Sequence, residues 1–220
     1  MTVVVGSPAH DLSTLMRAGS RAEHKAAESS DFIERLLDGR ASAAEYAAYL
    51  RRLAAVYDAL ESVGRAYAAD PSVAAVVDPL LERSEALAAD LDHWAGSRWR
   101  EEPLESPAVD AYVTRIRESA AEWSGLYIAH HYTRYLGDLS GGQAIGRVVS
   151  RTYDLPKGVG VAFYEFEGVP KPKPYKDAYR ARLDALPLGA VDKQRIVGEV
   201  KLAFRMNESI FAEFPPGEET

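Results

Sequence analysis

The stretch that most narrows what this chain can fold into is Tyr132-Thr-Arg-Tyr-Leu-Gly-Asp-Leu-Ser-Gly-Gly-Gln143. The residues on both sides read as amphipathic helix, yet Gly137, Gly141 and Gly142 sit inside the run. Each glycine in a helix interior costs about 1 kcal/mol relative to alanine. At 3.6 residues per turn, Gly137 and Gly141 fall about 40° apart on one face. A helix face without side chains lets something flat, or another backbone, approach closely, and it lets the helix bend. Tyr132, Arg134 and Asp138 ring that bare patch. Gly-xxx-Gly spacing also serves close helix–helix packing. An Asp–Arg pair four apart is also an ordinary surface ion pair, worth a few tenths of a kcal/mol. The density of rule-breaking residues in one helix is what points to a site.

Outside that run, Ala, Leu, Arg and Glu recur with helical period over most of the 220 residues. Asp11 or Ser13 is placed to cap a first helix reaching about Glu28. A short helix over 31–38 ends before Gly39, and Ser42 with Glu45 forms a capping box that opens a long helix through Tyr67. Asp70-Pro71 restarts the chain, and 79–94 is the next helix. Ser106 followed by Pro107 starts another. Helical pattern then runs to about Tyr153 with a break near 119–124. Residues 155–174 are rich in glycine and proline and read as loop, with a short extended piece at Phe163–Phe166. Helices resume over 175–186 and 191–214. The expectation is all-α: one domain, residues 1–220, of about eight helices, with 1–10 and 215–220 as flexible ends.

Composition closes off several functions. The net charge of -7 argues against general nucleic-acid binding. There is no cysteine, hence no disulfide, no thiolate metal site and no catalytic thiol, which fits a reducing cytoplasm. The N-terminus lacks the pattern of a signal peptide, and no apolar run approaches the roughly 20 residues of a membrane span. No membrane anchor is expected.

On a helical wheel, Arg17, Arg21, His24 and Glu28 fall within one narrow stripe, at about 0°, 40°, 340° and 20°. Glu28 stands four residues after His24, in reach of its ring. A metal-bound histidine commonly gives its other nitrogen to such a carboxylate, and two guanidiniums nearby suit ligand carboxylates. The same stripe would also serve as a solvated charged face. Of the other histidines, His93 reads as structural, and at least one of His130 and His131 as core or near-site packing. No HxxxH or HExxH pair exists, so a multi-histidine zinc site is not expected. A single histidine ligand suits heme, which brings four nitrogens of its own.

The string over 132–143 resembles the distal-helix signature of heme oxygenases, and the resemblance extends from about Leu12 to Phe214. Supporting matches are Arg21-Ala-Glu-His24-Lys-Ala-Ala-Glu28, Tyr57, Tyr179-Arg180-Ala-Arg182, and Ala203-Phe204 through Asn207. The resemblance implies heme held between a proximal helix and a kinked, glycine-rich distal helix. It implies O₂-dependent cleavage of heme to biliverdin, CO and free iron. His24 then matches the iron ligand and Glu28 its hydrogen-bond partner. Gly137 and Gly141 match the glycines that lie against the heme plate. Asp138 matches the carboxylate that anchors distal water, with Tyr57, Arg134 and Asn207 in the same network. Arg17, Arg21, Tyr132, Lys176 and Arg180 match the residues that hold the propionates, and Phe204 a further heme contact. Arginine at 17 and 21 stands where lysine is common in the family, so the charge survives. Electrons are expected from a ferredoxin or a flavoprotein reductase, because the chain carries no flavin or nicotinamide fingerprint. The alternative is a heme-binding or heme-delivery protein on the same scaffold. A thiaminase-like hydrolase would need the cysteine this chain lacks.

Overall fold

The computed structural model describes residues 11–216. Eleven α-helical segments carry the fold, and there is no strand among the described residues. They are α1 (Leu12–Gly19), α2 (Arg21–Glu28), α3 (Asp31–Leu37), α4 (Ala43–Ala66), α5 (Pro71–Ala74), α6 (Ser84–Trp94), α7 (Pro107–Glu122), α8 (Tyr127–His131), α9 (Gln143–Thr152), α10 (Pro172–Asp184) and α11 (Ala190–Phe211). The long helix α4 is flanked by α6 and α7, and α11 packs on α1, α2, α7 and α8. Leu50, Leu53, Val56 and Leu60 of α4 meet Tyr112 and Ile116 of α7 in one core, all nearly or fully buried. No helix among the described residues is long and apolar enough to cross a membrane.

Several helix ends follow from local sequence. Ser42 Oγ accepts from the Glu45 amide at 3.2 Å while Glu45 returns a bond to the Ser42 amide at 2.8 Å, a complete capping box. Ser106 Oγ accepts from the Val109 amide, with Pro107 at the first helical position. Gly39 sits at φ 71°, the left-handed conformation that stops α3.

The differences from the sequence reading have physical causes. The expected first helix is two. Ser20 turns its hydroxyl onto the Met16 carbonyl at 2.8 Å, and its backbone leaves helical geometry at φ -108°, ψ 15°. Gly19 beside it lets α11 come close, since a Cβ there would meet Val197 Cγ1 at 2.6 Å. Neither Asp11 nor Ser13 caps α1 with its own side chain. The cap comes from α10, whose Asp184 carboxylate accepts from both the Ser13 amide and the Ser13 hydroxyl. The span 79–94 is a 3₁₀ turn at Pro79–Leu81 followed by α6. The piece expected as extended at Phe163–Phe166 is instead a 3₁₀ turn over Ala162–Tyr164. Buried Asp90 holds that turn by accepting from the Ala162 and Phe163 amides, both at 2.8 Å. The additional turn α5, the break at Ser20 and an interruption between α8 and α9 account for eleven segments where about eight were expected. At the C-terminal end the Pro215 carbonyl accepts from Arg35 at 2.9 Å. The expected flexible residues 1–10, with His10, and 217–220 lie outside the described residues.

Candidate active site

The glycine run lies in one long helical stretch from α8 to α9. Two π-helical turns, Tyr132–Leu136 and Asp138–Gly142, interrupt it. Such turns are frequent at functional sites. Gly137 and Gly142 hold ordinary right-handed helical angles (φ -60°, ψ -52° and φ -56°, ψ -37°), so they are not there for conformational freedom. What they contribute is the missing side chain, and they do so on two different faces. A Cβ at Gly137 or Gly141 would meet nothing within 4 Å. A Cβ at Gly142 or Gly146 would lie 3.0 Å from the Tyr164 side chain. One face is an open cradle; the other is a groove into which Tyr164 packs. Gly146 belongs to the second face and escaped the sequence reading.

That division predicts opposite stability changes. Gly137→Ala should raise the melting temperature, because about 0.5–1 kcal/mol of helix propensity is gained with no steric cost. Gly146→Ala should lower it, since overpacking against Tyr164 costs about 1–3 kcal/mol and exceeds the propensity gain. Thermal unfolding of the two variants without added ligand checks both signs.

Beside the cradle lies a buried polar cluster drawn from three helical stretches. The Tyr57 hydroxyl, from α4, donates to Asp138 Oδ2. Arg134 Nε donates to the Tyr57 oxygen at 3.2 Å, and its Nη1 to Asn207 Oδ1 of α11 at 2.7 Å. Its Nη2 stands 3.5 Å from Asp138 Oδ1. Burial pushes the Asp138 carboxyl above the usual range, although Arg134, the Tyr57 hydroxyl and Arg83 all oppose the shift. Burial likewise pushes Tyr57 well up, so the phenol keeps its proton. Asp138, Arg134, Tyr57 and Asn207 are thus brought together. Tyr49, Tyr112 and Arg83 also face this cluster electrostatically and were missed. Tyr49 and Tyr57 are eight residues apart and share a face of α4, the signal that could have found Tyr49. The Tyr112 hydroxyl is buried and faces Asn207.

His24 and Glu28 lie on α2. His24 Nδ1 is 3.2 Å from Glu28 Oε2, and both side chains are half exposed or more. Phe204 of α11 sets its ring edge-on to the imidazole, centroids 5.3 Å apart. Arg17 lies on α1 and Arg21, exposed, opens α2, so the break at Ser20 divides the stripe that an unbroken helix would carry. Cations meet the glycine stretch at Tyr132 and at Ser140. Burial raises the Tyr132 pKa while the charges of Arg180 and Arg17 pull it down. Lys176 donates to Ser140 Oγ at 2.9 Å and ties α10 to the distal turn. Burial, reinforced by Arg180, lowers the Lys176 pKa. Arg180 pairs with Asp177 at 3.1 Å.

The remaining histidines are structural in placement. His93 packs edge-on to Trp94. His130 Nε2 bonds Glu199 at 2.8 Å, and Arg115 grips the same carboxylate with two bonds of 2.7 Å. Burial works to raise the Glu199 pKa, but His130 and Arg115 outweigh it and hold it at about 2. His131 Nδ1 bonds the Tyr179 hydroxyl at 2.9 Å. Among the described residues, no group of three His, Asp or Glu side chains could hold a bare metal ion.

Comparison with known proteins gives a consistent result. A family model described as heme oxygenase matches residues 10–213. Heme oxygenase 1 of Nostoc sp. is 38% identical over 203 residues, covering 92% of this chain and 85% of that protein. The crystal structure of heme oxygenase-1 from the cyanobacterium Synechocystis sp., in complex with heme, superposes with a TM-score of 0.88 at 37% identity, covering 93% of this chain and 92% of that one. The heme oxygenase structure from Leptospira interrogans superposes equally well, at 0.88 and 38% identity, covering 93% of this chain and all of that one.

Proposed function

The chain belongs to the heme oxygenase family, and from that premise we propose how its residues carry out the oxidative cleavage of heme to biliverdin, CO and free iron. Heme would be both substrate and cofactor, supplying the iron for oxygen activation and the ring that is oxidised. The observation that carries this reading is the pairing of two features. One is a half-exposed imidazole on α2. The other is a strip of distal helix where Gly137 and Gly141 leave the space of their side chains empty. Together they would hold a planar group. The chain acts as a single domain, in the cytoplasm.

His24 would hold the iron. Glu28 holds Nδ1, fixes the tautomer and raises the basicity of the ring. Phe204 limits rotation of the imidazole by lying edge-on to it. On the distal side Gly137 and Gly141 let the backbone stand against the heme plate. Asp138 stays off the heme and orders a water. Tyr57 and Arg134 fix its carboxylate, and Asn207 fixes Arg134. The buried Tyr112 hydroxyl, beside Asn207, is a seat for a second ordered water in the same network. A carboxyl lifted by burial exchanges a proton more readily near neutral pH than an ordinary aspartate does. Holding a water there delivers a proton without placing a side chain against the reacting oxygen.

Arg17, Arg21, Lys176 and Arg180, with Tyr132, hold the propionates and so fix which ring edge lies under the glycine face. Arg180→Glu should weaken hemin binding by about tenfold or more, the scale of one lost charge-assisted bond. It should also give a mixture of biliverdin isomers. Titration against the Soret band and chromatography of the product check the two effects. Unchanged affinity with a single unchanged isomer would contradict the assignment.

Reducing equivalents come from a ferredoxin or a flavoprotein reductase, and the chain binds no flavin or nicotinamide of its own. Release of CO tests the reaction. Hemin-loaded protein given ascorbate in air should release one CO per heme, captured on ferrous myoglobin. Bleaching of the heme without CO would contradict the reading.

A further inference from the structure

All twelve tyrosines lie among the described residues, and their hydroxyls divide by the kind of partner they bond. Tyr127 and Tyr153 donate to the backbone carbonyls of Leu60 and Ala41, and Tyr46 faces that of Gly160. Four others bond a titratable side chain. Tyr57 donates to Asp138, Tyr135 to Glu61 at 3.4 Å and Tyr175 to Asp78 at 2.6 Å, and the Tyr179 hydroxyl bonds His131 Nδ1 at 2.9 Å. These four are contiguous. The rings of Tyr57 and Tyr135 are 5.3 Å apart between centroids, and those of Tyr135 and His131 4.3 Å. His131 lies 5.8 Å from Tyr179 at an interplanar angle of 16°. Tyr175 is one helical turn before Tyr179 on α10, on the same face. Tyr57, Tyr135 and Tyr179 are buried, whereas Tyr175 is half-buried. The line begins at the distal carboxylate and ends at the surface.

Buried tyrosines need hydrogen-bond partners in any core. A run of neighbours that all choose bases has a further chemical property. Taking an electron from a buried phenol leaves a strongly acidic cation in a medium that resists charge. If the hydroxyl already points at a base, the proton crosses that one bond as the electron leaves. Tyr179 and His131 are set for this exchange. Burial pushes the Tyr179 phenol well up and lowers His131 to about 3, with Arg182 adding to the fall, so the phenol is protonated and the imidazole neutral; in the tautomer with its proton on Nε2, Nδ1 accepts from the Tyr179 hydroxyl. The imidazolium that would form is not isolated. His131 and Tyr135 line a cavity of about 170 Å³ whose wall includes the carboxylates of Glu61, Asp78 and Glu82.

We propose that Tyr57, Tyr135, Tyr179 and Tyr175, each with its own proton acceptor, form a relay that carries an electron from the surface to a heme oxidised past the ferric state by peroxide. At each hop an O–H bond breaks, the proton moves to the paired base, and a neutral phenoxyl radical remains. The next tyrosine outward returns the electron, and the base returns the proton. The net change is one electron taken at Tyr175 from a small reductant in solvent such as ascorbate, and one oxidising equivalent removed from the heme. The bases and phenols end as they began. The inference rests on the heme reading above for its oxidant, and on ring contacts and hydrogen bonds for its path.

The test is to mix hemin-loaded protein with hydrogen peroxide and the spin trap 2-methyl-2-nitrosopropane, then locate adducts by mass spectrometry. The expected adduct is on Tyr175. Tyr179→Phe should lose it while keeping the Soret band of bound hemin, and Tyr153→Phe, off the path, should retain it. Tyr175→Phe, at a half-exposed position, should strand the radical inside and lengthen the life of its EPR signal. No adduct on Tyr175, or an equal yield from Tyr179→Phe, overturns the relay. The protein without heme gives an independent arm: flash-quench oxidation with tris(bipyridine)ruthenium(III) should produce, beside a signal from Tyr175, a tyrosyl EPR signal that carries the coupling of a hydrogen bond to the His131 imidazole and is absent from Tyr179→Phe. If that signal is the same in both proteins, the relay is overturned whether or not hemin binds. If hemin fails to bind while the signal behaves as expected, the heme reading falls and the redox pairing stands.

Discussion

Asp138→Ala should bind heme through His24 at near-normal affinity and yet form little or no biliverdin. The carboxylate stands beside the cradle and bonds Tyr57 and Arg134; its assigned work is to hold a water. Losing a positioned proton donor costs about a hundredfold or more in rate. With the water displaced, reaction with hydrogen peroxide should turn toward peroxidase-like oxidation of added phenols. Asp138→Asn should be milder where the amide still holds the water. Removing Asp138 also leaves Arg134 buried beside fewer oxygens, so a modest loss of stability is expected. The check is product analysis by spectrum and chromatography beside a hemin titration. Normal biliverdin yield from Asp138→Ala would reduce the carboxylate to a structural partner of Arg134.

The second large effect is expected at His24. His24→Ala should lose the axial ligation of the wild-type spectrum and nearly all turnover, while the fold stays intact. The side chain is half exposed and contributes little to the core, so melting should move by less than about 1 kcal/mol. Added imidazole should fill the vacated position and restore part of the activity. Wild-type spectrum and activity without imidazole would make another histidine the ligand. His130 and His131 are poorly suited to that role. Both rings are buried in the core, whereas a heme ligand must be reachable by the iron.

The residues that depart from helical rules were the most legible from sequence. Three glycines within a helical period, ringed by Asp138 and Arg134, mark the distal stretch without any knowledge of the fold. Local stop and start signals were equally plain at Ser42, Ser106 and Gly39, because those caps are made within a few residues of chain. Features made between distant segments were hidden. Asp184 caps α1 from more than 170 residues away. Asp90 fixes the turn at Ala162–Tyr164 that composition alone suggested was extended. The sorting of glycines into an open face and a face filled by Tyr164 depends on where that tyrosine arrives, which no helical wheel records. A wheel also assumes a continuous helix. The break at Ser20 moves Arg17 onto a different axis from His24, although Arg17 and Arg180 both act on Tyr132 in the folded chain. Tyr49, Tyr112 and Arg83 resemble ordinary core or surface residues until tertiary structure turns them toward Asp138.

The central claim is that the space between His24 and the Gly137–Gly141 face holds heme and directs oxygen onto its ring. Following the absorption spectrum of the hemin complex after addition of ascorbate in air tests it most directly. Catalase should be present to remove free peroxide. The Soret band should fall, biliverdin absorption should rise as it falls, and Gly137→Leu, which fills the cradle while leaving His24 in place, should do neither. A stable Soret band in the wild-type protein under these conditions, or equal biliverdin from Gly137→Leu, would contradict the account.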